Sequence, residues 1–315
     1  MPTASHPEHV THGGFRILVA TDASPAGNAA VAWAASTFQS PGTTLHITHV
    51  VDAAHGPAAA TAAEETLQTT AASLDGSDAH IETSVTSGRP VWEAIVEQAA
   101  RARSDLLIIG VRGHSKLPWV RLGTTARRLV RFAPCPVLSL PPQSGPDAAR
   151  PLHGLVGVDF SEESALATTA AIRLLGAAGG GRLTLLHVCE SPSMPYEAMG
   201  YGPAQVTDEL VEHRRREALH MLEGLAADAT GGGVEATFAA TTGQAAQSLE
   251  HYAEEADCDF IAVGTRGHTV MQRMILGSAA QRLLEGHARP VLTARSPAAD
   301  QSIALSPADT NEVPA

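Results

Sequence analysis

Along the chain, short and almost wholly apolar runs alternate with longer stretches in which apolar residues recur every three or four positions. The runs near residues 15–21, 44–51, 79–86, 105–111 and 136–140 are predicted strands, with helices between them. "DLLIIGV", from Asp105, has the unbroken apolar character of a parallel strand buried on both faces. After Gly88, Pro90 stands where the first turn of a helix accepts proline. Val91, Ile95 and Ala99 then mark one helical face, flanked by Trp92 and Val96. Strand–helix alternation with right-handed crossovers predicts an α/β fold, an open parallel sheet with helices on both faces.

The same pattern is written twice. "FRILVATDAS" from Phe15 aligns with "HGLVGVDFSE" from His153, and "GTTLHITHVVD" aligns with "GRLTLLHVCE". "VTSGRPVWEAIVEQA" matches "ATTGQAAQSLEHYA", "DLLIIGVRGH" matches "DFIAVGTRGH", and "APCPVLSL" matches "HARPVLTA". Five blocks in one order define an internal duplication. Domain 1 is expected over residues 15–140 and domain 2 over 153–296. They are joined by a Pro-, Gly- and Ser-rich linker at 141–152. Residues 1–14 and 297–315 are polar and aperiodic, and are expected to be flexible ends. The second repeat carries extra residues, Ser191 to Gln205, after its second strand, within reach of any ligand site at that edge.

Composition narrows the function. Aromatics make up 4% of the chain, so the cores must be built from Ala, Val, Leu and Ile, which suits helices packed closely on a sheet. A formal net charge of -12 argues against nucleic acid or an anionic membrane as partner. No stretch approaches the ~20 apolar residues of a membrane span. The polar opening "MPTASHPEHVTHGGF" does not read as a secretory signal. Three cysteines without a C-x-x-C fit a reducing, cytoplasmic setting and speak against a disulfide framework or zinc site. The fifteen histidines are scattered, with no pair at metal-ligand spacing standing out.

"GVRGHSKLPWVRLGT" (Gly110 to Thr124) and "GTRGHTVMQRMILGS" (Gly264 to Ser278) share the spacing G-x2-G-x9-G-[ST]. In open parallel sheets, ligands bind beyond the strand carboxyl ends, where strand order reverses. With strand order 3-2-1-4-5, strands 1 and 4 meet there. Asp22 or Asp159 then ends one wall, and Gly110 or Gly264 the other. Gly110 and Gly113 are expected to bring backbone close to a ligand and to permit positive φ. Thr124 and Ser278 open helices whose free N–H groups form a phosphate seat. Arg112 and His114, with Arg266 and His268, are placed to meet outer phosphates.

Simpler roles compete. The glycine loops also read as tight turns. Asp22 and Asp159 also read as helix caps or turn residues, because "DASPAG" and "DFSEES" both open helices. His49 and His187 read as satisfied histidines within apolar strands. "ARRLVR" and "HRRRE" read as solvated helix faces, and the cysteines as small core residues.

On these residues the repeats resemble the universal stress protein domain, and the chain resembles a tandem, two-domain member of that family's ATP-binding branch. The resemblance covers roughly residues 15–140 and 153–295. It implies two Rossmann-like, adenine nucleotide alpha hydrolase-like domains. It further implies that ATP (or ADP or AMP), with Mg²⁺ on the phosphates, binds at each switch point. Asp22 and Asp159 would lie by the adenosine, and the backbone at Val50 and Val188 would contact the adenine. Gly110, Gly113, Gly123 and Thr124, with Gly264, Gly267, Gly277 and Ser278, would hold the ribose and phosphates. The family dimerises through its last strand, which implies an intramolecular pseudo-dimer through "PVLSL" and "PVLTA"; an unpaired apolar edge also invites that pairing. A further homodimer and a protein partner that reads nucleotide occupancy are expected too.

Two alternatives remain at this stage. One is a slow ATPase or phosphoryl-transfer enzyme, although neither loop has the lysine of G-x4-G-K-[ST]. The other is a nucleotide-free dimerisation scaffold.

Overall fold

The computed structural model describes residues 14–74, 78–113, 122–145, 150–190, 205–266, 276–286 and 289–296. The first half runs β1 (Phe15–Ala20), α1 (Pro25–Thr37), β2 (Thr43–Asp52), α2 (Gly56–Ala72), β3 (His80–Gly88), α3 (Val91–Arg101), β4 (Leu106–Gly110), α4 (Thr124–Phe132) and β5 (Val137–Leu140). The second runs β6 (Leu152–Gly157), α5 (Glu162–Ala177), β7 (Gly181–Cys189), α6 (Gln205–Ala229), β8 (Val234–Thr242), α7 (Ala245–Glu255), β9 (Phe260–Gly264), α8 (Ser278–Gly286) and β10 (Val291–Ala294).

The strand order is β3-β2-β1-β4-β5-β10-β9-β6-β7-β8. Each half is therefore a parallel sheet in the order 3-2-1-4-5. The two halves join into one ten-stranded sheet through antiparallel pairing of β5 with β10, with Ser139 opposite Val291 and Val137 opposite Thr293. The two "PV" strands that looked like unpaired edges cover one another. Ion pairs also cross between the halves, from Arg173 on α5 to Asp105 (2.5 Å) and from Arg127 on α4 to Glu285 on α8 (3.8 Å).

Alternation along each strand sends side chains to two cores. Ile17 and Val19 of β1 pack with α1 and α2, while Leu18 packs with α3 and α4. The buried face of α1 is mostly small, with Ala26, Gly27, Ala30, Ala34 and Ala35 beside Trp33, so the helix lies close on the sheet. That closeness sets the geometry of the crevice above it.

The helix starts are well specified. Ser24 caps α1 by accepting from Gly27 N–H at 3.1 Å, with Pro25 following it. Ser161 caps α5 in the same way through Ser164 N–H at 3.2 Å. Pro90 is the residue before the first turn of α3, one position earlier than its helical placement in the sequence reading.

Candidate functional site

The chain reverses direction across the sheet between β1 and β4, and a cavity of about 470 Å³ opens there in the first half. Its floor follows the strand order. Val50 of β2 stands on one side, Asp22 after β1 in the middle, and Gly110, Arg112 and Gly113 after β4 on the other. Val91 and Ile95 of α3 form an apolar wall beside Val50. Gly123, Thr124 and Thr125 bring in the start of α4. Thus one flank is apolar and the other is lined by glycine backbone and a helix N-terminus. Seven expected residues, Asp22, Val50, Gly110, Arg112, Gly113, Gly123 and Thr124, share this one space. His114 lies outside the described residues.

The start of α4 is open by construction. Gly123 is its N-cap, with φ -62° and ψ 151°, and no side chain caps the first turn. Gly123 N–H is itself bound to Val111 O at 2.9 Å. The first-turn N–H groups of the helix therefore have no intrahelical acceptor and sit at the positive end of its dipole, the environment that anions favour.

The positive φ expected at Gly110 and Gly113 is not found. None of Gly110, Gly113, Gly123, Gly264 and Gly277 has a left-handed φ. At Gly110, Gly113 and Gly264 the need is steric. A Cβ at Gly110 would lie 2.6 Å from the backbone carbon of Ala26 and 2.8 Å from Gly27 N, so glycine here lets α1 rest on β4. A Cβ at Gly113 would lie 2.5 Å from Oδ2 of Asp22. Only the second clash concerns the cavity's own chemistry.

Asp22 and Asp159 are turn residues, and the helix caps are the serines two positions on. Oδ1 of Asp22 accepts from Ser24 N–H at 3.0 Å, and Oδ1 of Asp159 accepts from Ser161 N–H at 3.0 Å. The residue between each pair, Ala23 or Phe160, is left-handed with φ 58° or 62°. That conformation turns the chain from strand to helix, and in the first half the Asp22 carboxylate lines the cavity. Ser24 Oγ also donates to Arg112 O at 3.3 Å, tying the two rims together.

The second half repeats the frame. Gly277 N–H binds Thr265 O at 2.7 Å, as Gly123 binds Val111, and Ser278 opens α8. Asp159, Val188, Gly264, Arg266, Gly277 and Ser278 hold positions equivalent to those of the first half, while Gly267 and His268 lie outside the described residues. The insertion expected from Ser191 also lies outside them, except for Gln205, which opens α6. His187, a half-buried strand histidine, donates from Nδ1 to Val158 O at 2.7 Å, and its ring lies 4.9 Å from that of Phe160.

One residue was missed. Glu163 is 8% exposed, and its side chain meets Arg266 with Oε1–Nε 2.8 Å. Its counterpart in the first half is Ala26. The signal was present in "DASPAG" against "DFSEES", where a small residue faces an acidic one.

A doubly wound α/β frame, duplicated, with a crevice at the first reversal of strand order, defines a Rossmann-like protein. The chain belongs to the universal stress protein family, whose model matches residues 15–141 and again 153–295. Universal stress protein YxiE of Bacillus subtilis (strain 168) is 30% identical over 144 residues, covering 45% of this chain and 97% of that protein. The crystal structure of a universal stress protein from Archaeoglobus fulgidus DSM 4304 superposes with a TM-score of 0.65 at 19% identity, over 89% of this chain and 98% of that one. A putative universal stress protein from Pseudomonas aeruginosa UCBPP-PA14 gives 0.58 at 19% identity, over 89% and 92%. The two structural likenesses are of fold, and span both halves. Among the described residues, no helix is long and apolar enough to cross a membrane.

Proposed function

We propose that this chain is an adenine-nucleotide-binding member of its family, and that occupancy of the first-half crevice alters its conformation or its affinity for a protein partner. The observation that carries this reading is the cavity. It sets an apolar slot at Val50, Val91 and Ile95 for a flat base, and an uncapped helix start at Gly123 and Thr124 for phosphates. Asp22 stands between them, where a ribose would offer hydroxyl donors to its carboxylate. Arg112 adds a cation on the phosphate side. Among the described residues, no group of three or more His, Cys, Asp or Glu side chains is placed to hold a metal, so Mg²⁺ would enter on the nucleotide's own phosphates.

Calorimetric titration with Mg-ATP and, separately, Mg-GTP tests the reading. Saturable binding of ATP with much weaker binding of GTP supports it. Absence of binding for either nucleotide at millimolar concentration, in folded protein, overturns it.

A further inference from the structure

The halves differ at the residue that packs over the fourth-strand glycine. In the first half it is Ala26, whose Cβ is 2.8 Å from where one would stand on Gly110. In the second it is Glu163, with the same 2.8 Å separation at Gly264. The longer side chain runs on to the residues that follow β9. Oε2 accepts from the Thr265 hydroxyl at 2.9 Å and from Arg266 N–H at 2.5 Å, and Oε1 meets Arg266 Nε at 2.8 Å. Thr265, itself buried, stands where the first half has Val111. The acceptor and its hydroxyl donor are thus both peculiar to the second half, and they form one unit. Arg112 in the first half lines the open cavity. Arg266, its counterpart, has a side chain only 17% exposed and is held by an internal carboxylate.

We propose that Glu163 is an internal anion that occupies Arg266 and closes the second half to nucleotide phosphates, so that the chain carries one nucleotide, in its first half. This rests on the nucleotide reading of the first crevice. A buried carboxylate with three donors is costly to displace, because each donor it leaves must find a new partner. It also gives the second rim one more negative charge than the first, against a ligand that is itself polyanionic. The frame of the second half is then kept for packing and for pairing at β10, while its anion seat is neutralised from within.

Native mass spectrometry with Mg-ATP reads the stoichiometry directly, on wild type, E163A and E163Q. E163A restores the alanine found in the first half. E163Q keeps an acceptor for Thr265 and removes the charge, and it serves if E163A does not fold. The expected result is one nucleotide per wild-type chain and two per variant chain, the second site tightening about tenfold or more when the carboxylate charge is removed. The double variant E163A/G113V should return to one, now in the second half. Two nucleotides on wild type, or one on both folded variants, overturns the proposal. None on any form overturns the nucleotide reading itself, and the proposal with it.

Discussion

Gly113 lies against the carboxylate of Asp22, so closely that a Cβ on the glycine would stand 2.5 Å from Oδ2. The glycine after β4 thereby fixes where the acid after β1 can point. Gly113 is exposed, and the clash is with the end of a side chain, so the fold can accommodate a substitution that the crevice cannot. Gly113→Val is expected to weaken Mg-ATP binding by about tenfold or more, a loss on the order of 1.4 kcal/mol, while the melting temperature stays near that of wild type. Calorimetry beside thermal unfolding separates the two effects.

Gly110 should behave in the opposite way. Its missing Cβ would meet backbone atoms of Ala26 and Gly27, which cannot move without shifting α1. Gly110→Ala is expected to cost about 1–3 kcal/mol of stability through overpacking. Urea unfolding measures it. An unchanged midpoint would mean that α1 is not seated on β4 as described.

His153 makes stability depend on pH. It is 5% exposed, with Nδ1 3.2 Å from Ala256 O and Nε2 2.9 Å from Thr184 Oγ1, an arrangement that the neutral ring satisfies. Burial lowers its pKa below 6.5, with Arg182 adding to the shift. The unfolded chain then binds the proton more readily than the folded one. Stability is full above the unfolded value and is lost as pH falls from there toward the lowered folded value. His46 is shifted in the same direction by burial, Glu82 opposing. Unfolding free energy should fall between pH 7 and pH 5, and His153→Gln should flatten that slope.

The cysteines should be silent toward thiol reagents in the folded protein. All three are free and buried. Burial pushes Cys135 up to about 12 and Cys258 up to about 11, and raises Cys189 as well. A colorimetric disulfide reagent at pH 8 should label no cysteine in the native chain and three in denaturant. Fast labelling of one thiol in native protein would contradict the described packing.

Ser139 stands at the junction of the halves, fully buried opposite Val291, with no hydrogen-bond partner for Oγ among the described residues. Ser139→Ala removes an unsatisfied hydroxyl, and is expected to be neutral or to stabilise by about 1 kcal/mol. Thr293, the neighbouring buried hydroxyl, donates to Val137 O at 3.2 Å across the same junction, and Thr293→Val should cost stability. The pair of midpoints in urea checks the sign of each.

Much of the frame was legible because local signals agree with the fold. Apolar runs such as "DLLIIGV" have one comfortable place, the interior of a parallel sheet, and the duplication fixes their order twice. The caps themselves, Ser24 and Ser161, were not read from the sequence, where the aspartates two residues earlier offered the same kind of side-chain acceptor. The reason for Gly110 was not legible. Glycine serves a close approach and a left-handed φ equally, and only packing shows that α1 sits on it. Glu163 was hidden for a related reason. In the sequence it is one of two acids opening a helix, a place that favours acids for dipole reasons alone. Its contact with Arg266 joins residues 103 positions apart, which no local pattern reports.

The most direct test of the central claim is a crystal structure of the full chain grown with Mg-ATP. The account predicts nucleotide density in the first half, with the phosphates at the N–H groups of Thr124 and Thr125 and the base against Val50 and Ile95. Density elsewhere on the molecule, or an empty first crevice at saturating nucleotide, would contradict it.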